Sequence, residues 1–250
     1  MIRESCMALL LGASLAAAAS AQTAGELLDK HAQASGGGKY RSLKAVRLTG
    51  KLLVSKDEEE QVVMEHVPSG HKLRMEITQK GVTDVRAIDG SAAWAVLRSE
   101  GGTSPVRLTG DSFDEMKSLA RFQGRLFDAL SSGGEVEYLG KGDLDGTPVQ
   151  ELKLPDTDGE ETTVYLDAKS FLELREERSW SGHGQTLQYV TTYSDFRPVE
   201  GLTLPYKIQT TRKETASFGM VRTEGSQILV IDKIEVNPDL PASRFARPKP

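Results

Sequence analysis

The chain is β-prone between residues 43 and 97, and within this region apolar and polar residues alternate strictly over 71–79. In 71–79, apolar Leu73, Met75 and Ile77 are each separated by a charged residue. A period of two is typical of a strand with one buried face and one face in water. Comparable stretches lie on both sides, joined by short turns such as Asp89-Gly90, which is a strong hairpin signal. This region therefore predicts five consecutive strands.

A helical period is present near the start of the chain, in residues 25–35. Leu27, Leu28 and Ala32 fall on one side of a helix there, and the glycines at 36–38 follow directly. Glycine just beyond the last periodic residue is a common helix end. We therefore expect a short amphipathic helix ahead of the first strand.

A second helix is predicted over residues 111–131, after a loop-like stretch at 98–108. Its apolar residues recur at helical spacing, namely Phe113, Met116, Leu119, Ala120 and Phe127. Asp111 or Ser112 is predicted to cap it, because an acidic residue follows three positions later. Gly124 is predicted to divide it into two pieces.

Strand patterns resume from residue 136 and continue to residue 236. Counting both regions, the sequence predicts about eleven strands. Most links are too short for crossover helices, so the sheet must be antiparallel. The fold class is therefore mainly β (α+β). Residues 237–250 contain four prolines and are predicted to be extended.

The first 21 residues have the pattern of an export signal. Residues 8–19 are small and apolar, and Ala19-Ser20-Ala21 presents small residues where signal peptidase reads them. The run is too short to cross a bilayer; a buried N-terminal helix is the alternative. We expect cleavage after Ala21, a single domain over 22–250, and a periplasmic product that lacks the chain's one cysteine, Cys6.

Composition and motifs exclude several classes of function. The net charge of −5 argues against nucleic acid as a partner. The chain has no Gly-x-Ser-x-Gly motif, and residues 36–39 lack the spacing of a phosphate loop. We therefore predict no enzyme activity, no cofactor and no metal site.

Two groups of residues could be considered as metal sites, but an ordinary structural role explains each of them better. His66 and His71 flank a turn and could approach each other, but Glu65 should point to the opposite strand face from His66. Residues 156–161 contain Asp156, Asp158 and Glu161 but lack the glycine position and the last acidic ligand of a calcium loop. A solvated hairpin turn explains that segment better.

Several segments, taken in order, resemble the LolA/LolB-like periplasmic lipoprotein-carrier superfamily, and within it the outer membrane lipoprotein-sorting protein group. The matching stretches are residues 26–31 with the glycines that follow, 87–94, 165–168, 193–205 and 234–238. Each stretch alone contains only residues that are common in turns, so it is a weak match. The ordered set, by contrast, extends over nearly the whole of 22–250.

The resemblance implies an open antiparallel half-barrel whose apolar concave face is covered by helices. It also implies a monomeric carrier or chaperone that binds acyl chains of lipoproteins or other lipids, with an inner-membrane donor protein and an outer-membrane acceptor protein. It supplies no catalytic residues. Carriers of this kind use one arginine to hold the lid closed, and Arg74 and Arg47 are the candidates in this chain.

The ligand-binding residues predicted on this basis form a wall and a lid. The wall comprises Leu73, Met75, Ile77, Trp94 and Val96, and the lid comprises Phe113, Met116, Leu119, Phe122 and Phe127. The same residues would equally suit an ordinary core. The alternative function is therefore an envelope-assembly module of the same fold that binds a protein partner and has a filled core. An uncharacterised hydrolase is the third possibility.

Overall fold

The described residues form a single antiparallel sheet of 13 strands with helices against one of its faces. The computed structural model describes residues 23–54, 58–157, 159–182, 185–216 and 221–248. The predicted signal peptide, including Cys6, lies outside the described residues.

The sheet comprises two runs of consecutive strands. The first run is β1 (Val46–Leu53), β2 (Glu59–Val67), β3 (Lys72–Gln79), β4 (Val82–Ile88), β5 (Ala93–Val96) and β6 (Val106–Leu108). The second run is β7 (Glu137–Leu144), β8 (Thr147–Thr157), β9 (Glu160–Asp167), β10 (Glu173–Gly182), β11 (Gln185–Val199), β12 (Leu202–Ala216) and β13 (Val221–Val236). The helices are α1 (Ala24–Ala34), α2 (Gly38–Arg41), α3 (Asp111–Leu119) and α4 (Gly124–Ser132).

The two runs join side by side through β1 and β13, where Val46 pairs with Val236 and Leu53 with Ile228. The strand order is therefore β6 to β1 followed by β13 to β7, which leaves β6 and β7 as the two edges of an open sheet. The chain that leaves one edge must reach the other, and α3 and α4 lie in that connection. The topology thus carries these two helices across one face of the sheet.

The structure confirms the mainly β, antiparallel fold and adds detail to the predicted elements. It has 13 strands where the sequence predicts about eleven. One of the additions, β6, lies in the stretch predicted as a loop; its three residues are too few to show a period. Gly124 separates α3 from α4, as predicted, and its φ of 80° is a left-handed conformation that favours glycine.

The predicted cap of the second helix is wrong. The N-cap position is Gly110, at φ 56°, and no side chain caps α3. By contrast, α1 has a capping box in which the Thr23 hydroxyl accepts from the Glu26 amide and the Glu26 carboxylate accepts from the Thr23 amide.

We call the face of the sheet that contacts the helices the inner face, and the opposite one the outer face. The inner face carries two apolar clusters. The first joins β1–β5, β12 and β13 to α2 and α3, with Leu73, Ile88 and Met116 among its most buried members. The second joins β8 and β9 to α1 and α4, around Leu27 and Leu126.

One end of the inner face is closed by α1 and α2. The Thr203 amide donates to the Ser35 carbonyl at 3.1 Å, and the Lys39 ammonium donates to the Glu200 carbonyl at 2.9 Å. A Cβ added to Gly36 would lie 2.8 Å from the Gly201 carbonyl oxygen, so the backbones meet too closely for any other residue. These contacts fix α1 and α2 to the β11–β12 turn.

The outer face of the first run is covered by the C-terminal segment, residues 237–248. Phe245 is fully buried, and its carbonyl accepts a hydrogen bond from the Trp94 indole at 2.9 Å. The Glu65 carboxylate accepts from Arg47 at 3.0 Å and from Arg244 at 2.9 Å.

None of the helices in the described residues has the length and apolar character that a bilayer-spanning helix needs.

Candidate functional site

The candidate site is the inner face of the first run where α3 covers it. Alternation on β3 directs Leu73, Met75 and Ile77 toward α3, and Leu73 and Met75 are buried there. From the helix, Met116 is buried against the same cluster and Phe113 is partly buried. The sheet and α3 therefore contact each other through apolar side chains on both sides.

Most of the predicted ligand-binding residues come together in this one cluster. Those that share it are Leu73, Met75, Ile77, Phe113, Met116, Phe122 and Phe127. Leu119 does not join them, because it lies on the outward side of α3 with 40% of its surface exposed.

The structure corrects the predicted wall at Trp94 and Val96, which do not lie on the inner face. Ala93 belongs to the inner cluster, so its neighbour Trp94 points to the outer face, where it packs with Val85, Ala87 and Val96. All four residues of β5 are buried, because the C-terminal segment covers the outer face there. A strand buried on both sides shows no alternation from which its inner face could be identified.

The two helices that cross the inner face are held unequally. On α4, Leu126 is fully buried and Ala129 is 9% exposed, and both pack with Leu27 and Leu28 of α1. On α3, only Met116 among the nine residues is buried. Therefore α4 is anchored together with α1, and α3 is the weakly held part of the cover.

Charged contacts reinforce the anchoring of α4. Arg125 lies 3.2 Å from the Glu160 carboxylate and 3.6 Å from that of Glu176 on the second run. At the other side of the helix, Asp128 pairs with Arg121 and accepts from His71. These pairs join α4 to both runs of the sheet.

Neither predicted latch arginine contacts the helical cover. Arg47 pairs with Glu65 and Glu235 on the outer face. Arg74 pairs with Glu76, and its guanidinium lies 5.8 Å from the Trp94 ring. Both residues precede or follow inner-face residues by one position, so strand alternation places them on the far side of the sheet. The arginines at the cover are Arg121 and Arg125.

A hollow is predicted beneath the helices. Under α3 this space is occupied by side chains of the helix itself, which pack against the sheet. An opening of about 610 Å³ runs along α4, between the helix, the β2–β3 turn and the β8–β9 hairpin. Its lining mixes apolar groups such as Leu43, Phe127 and Leu154 with arginines and carboxylates. Pockets of a few hundred Å³ suit small organic ligands.

Within the part of the chain that the structure describes, the buried polar atoms without a hydrogen-bond partner include Nδ1 of His66 and Oε1 of Glu173 on the inner face. Burial lowers the pKa of His66 to about 3. Burial raises the pKa of Glu173 well above its ordinary value of 4.5, and the nearby Glu176 carboxylate raises it further. His66 is therefore uncharged at neutral pH, and for Glu173 the shift favours the protonated form.

Neither metal alternative gains support. Glu65 lies on the outer face while His66 lies on the inner face, and His71 pairs with Asp128. Among the described residues, no group of three or more His, Cys, Asp and Glu is arranged to hold a metal ion. In the calcium-loop candidate, Asp158 lies outside the described residues.

The fold is LolA-like. A LolA superfamily protein from Nitrosomonas europaea aligns with a TM-score of 0.55 and 18% identity, over 90% of this chain and 98% of that chain. A DUF1329 family protein from Desulfovibrio piger aligns with a TM-score of 0.55 and 10% identity, over the same shares. At these identities the likeness establishes the fold alone. No protein-family model and no curated protein sequence matches the chain.

Proposed function

We propose that this protein is a periplasmic carrier that binds the acyl chains of lipoproteins or other lipids on the inner face of its open sheet. The observation that carries the proposal is the unequal cover of that face. An apolar wall lies beneath α3, and α3 is held there chiefly by one buried side chain, Met116. A cover of this kind can exchange its own apolar contacts for those of a ligand.

In this proposal the wall is formed by Leu73, Met75 and Ile77. When α3 moves away, an acyl chain takes the positions that Phe113, Met116 and Phe122 occupy over that wall. Phe127 stays with α4 and borders the opening of about 610 Å³ through which a chain could enter. Methionine and phenylalanine at these positions suit a surface that must repack around different chains.

The free energy available is sufficient for a carrier. Burial of an acyl chain returns about 0.8 kcal/mol per methylene, so roughly ten methylenes give about 8 kcal/mol. This corresponds to about micromolar affinity. Lifting α3 costs part of that gain, because Met116 and its neighbours lose their contacts with the wall. The net affinity is therefore weak enough for the ligand to be passed on.

The proposed setting follows from the predicted export signal and the carrier role. The protein acts without catalysis or cofactor in the periplasm, as a monomer. It receives its ligand from an inner-membrane donor protein and delivers it to an outer-membrane acceptor protein.

Native mass spectrometry of protein purified from the periplasm tests the carrier proposal. We expect a fraction of the molecules to carry an additional mass that dissociates as an acylated lipid. As a control, Met75→Arg places a charge on the wall and should remove the additional mass from folded protein. Folded parent protein that is free of lipid, and that takes none up from added phospholipid, would contradict the proposal.

One observation favours a second candidate, an envelope-assembly module that binds a protein partner. Side chains of α3 fill the inner face, as a module with a closed core would require. The same preparation separates the two functions, because the module would arrive without lipid and with a protein partner bound.

A further inference from the structure

His66 is the polar member of an otherwise apolar row on the inner face of β2. The row continues from Val62 through Met64, and His66 pairs with Leu73 on the next strand. The side chain is 3% exposed, its Nδ1 has no hydrogen-bond partner among the described residues, and its ring centroid lies 5.1 Å from that of Phe122. A buried polar atom without a partner is destabilising and requires an explanation.

Glu173 is the corresponding exception on the second run. It pairs with Leu166, whose side chain belongs to the inner-face cluster, and it is 9% exposed with Oε1 unpartnered. A Cβ added to Gly124 would lie 3.6 Å from Oε2 of Glu173, so this carboxyl group lies against the first residue of α4.

The same short segment covers both groups. Phe122 contacts His66 and Gly124 contacts Glu173, and these two residues belong to the joint between α3 and α4, residues 120–124. The joint is held down by Tyr40, whose hydroxyl donates to the Gln123 carbonyl at 2.9 Å. When α3 moves, this joint is the part of the cover that must move with it.

We propose that the joint covers a head-group subsite, in which His66 and Glu173 bind the uncharged, hydrogen-bonding head of an acyl ligand, such as an ester or amide. This inference rests on the proposed carrier function and names the class of ligand for it. In its protonated form, which burial favours, the Glu173 carboxyl donates to the head's carbonyl oxygen, and neutral His66 supplies a second hydrogen bond. A charged head would lose its hydration without gaining a counter-charge from neutral His66.

Displacement of a polarity-sensitive fluorophore from the purified protein at pH 6.5 tests the inference with three single-chain ligands: decyl acetate, decane and decanoate. Two additional satisfied hydrogen bonds, each worth about a factor of five, predict that decyl acetate binds about 25-fold more tightly than decane. Decanoate should bind more weakly than decyl acetate. In His66→Leu and in Glu173→Leu the preference for the ester should fall toward one.

The preference is a ratio of two affinities within one variant, so it is insensitive to the amount of folded protein. Gln188→Leu is the matched control, because Gln188 is an exposed residue of β11 that belongs to neither inner-face cluster, and this variant should keep the preference. His66→Leu should also melt at a higher temperature than the parent, because it removes an unpartnered buried group. Equal binding of the three ligands by the parent, or an undiminished preference in both leucine variants, would overturn the subsite and leave the carrier function standing. Binding of none of the three would refute both.

Discussion

Replacing Leu126 by alanine is expected to lower the free energy of unfolding by about 3 kcal/mol. Leu126 is fully buried between α1 and strands β8 and β9. Truncating a side chain in such a position loses its transfer free energy and leaves a cavity that the surrounding core only partly fills. Chemical denaturation followed by far-ultraviolet circular dichroism measures the change.

Leu119→Ala is the matched control on the neighbouring helix. Leu119 is 40% exposed and belongs to no apolar cluster, so the same truncation should change the free energy of unfolding by no more than about 0.5 kcal/mol. Similar losses in the two variants would contradict the exposed position of Leu119 and the anchoring of α4 through Leu126.

Replacing Glu65 by alanine is the second large effect that we expect, a loss of about 2 kcal/mol. The Glu65 side chain is 2% exposed and accepts hydrogen bonds from Arg47 and Arg244. Its removal leaves two guanidinium groups facing each other beneath the C-terminal segment. The loss falls below that of a fully buried pair because the two arginines are 31% and 38% exposed and retain some hydration.

Denaturation again measures the loss, and the fluorescence of Trp94 reports on the C-terminal segment. Because the Trp94 indole donates to the Phe245 carbonyl, loosening this segment should shift the emission to longer wavelength. Glu235→Ala is the control, since Glu235 also accepts from Arg47 but is 34% exposed. It should cost less than about 1 kcal/mol. A Glu65 variant as stable as this control would show that the C-terminal segment is held by other contacts.

The alternation of apolar and polar residues predicted the strands well wherever one face of the sheet is exposed to water. The wall residues Leu73, Met75 and Ile77 are separated by charged residues, and the structure places all three in the inner cluster. The division of the second helix at Gly124 was equally visible, because glycine in a helical pattern often marks a break. These features depend on short-range periodicity, which the sequence contains directly.

The positions of Trp94 and the latch candidates depended on information that the sequence does not contain locally. Trp94 is covered by Phe245, more than a hundred residues away, so β5 is buried on both faces and its pattern gives no direction. Arg47 and Arg74 are latch candidates by residue type alone, whereas the strand register places them on the outer face.

The head-group subsite was missed for a related reason, although one signal was present. His66 continues the alternating series of Val62 and Met64, so a polar residue stands at a position where the pattern demands an apolar one. Its relation to Glu173 arises only from the tertiary structure, because the two lie on different runs and each lies against the joint between α3 and α4.

Movement of α3 is the central claim, and a distance measurement between spin labels tests it most directly. Labels on Leu119→Cys and Val82→Cys, with Cys6→Ser, occupy exposed positions on α3 and on the end of β4. Insertion of an acyl chain under α3 should lengthen this distance by about 4 Å, one layer of carbon contacts. The distance from Ser131→Cys on α4 to the same β4 label should stay constant. Saturation with decyl acetate that leaves both distances unchanged would show that the ligand binds without displacing α3.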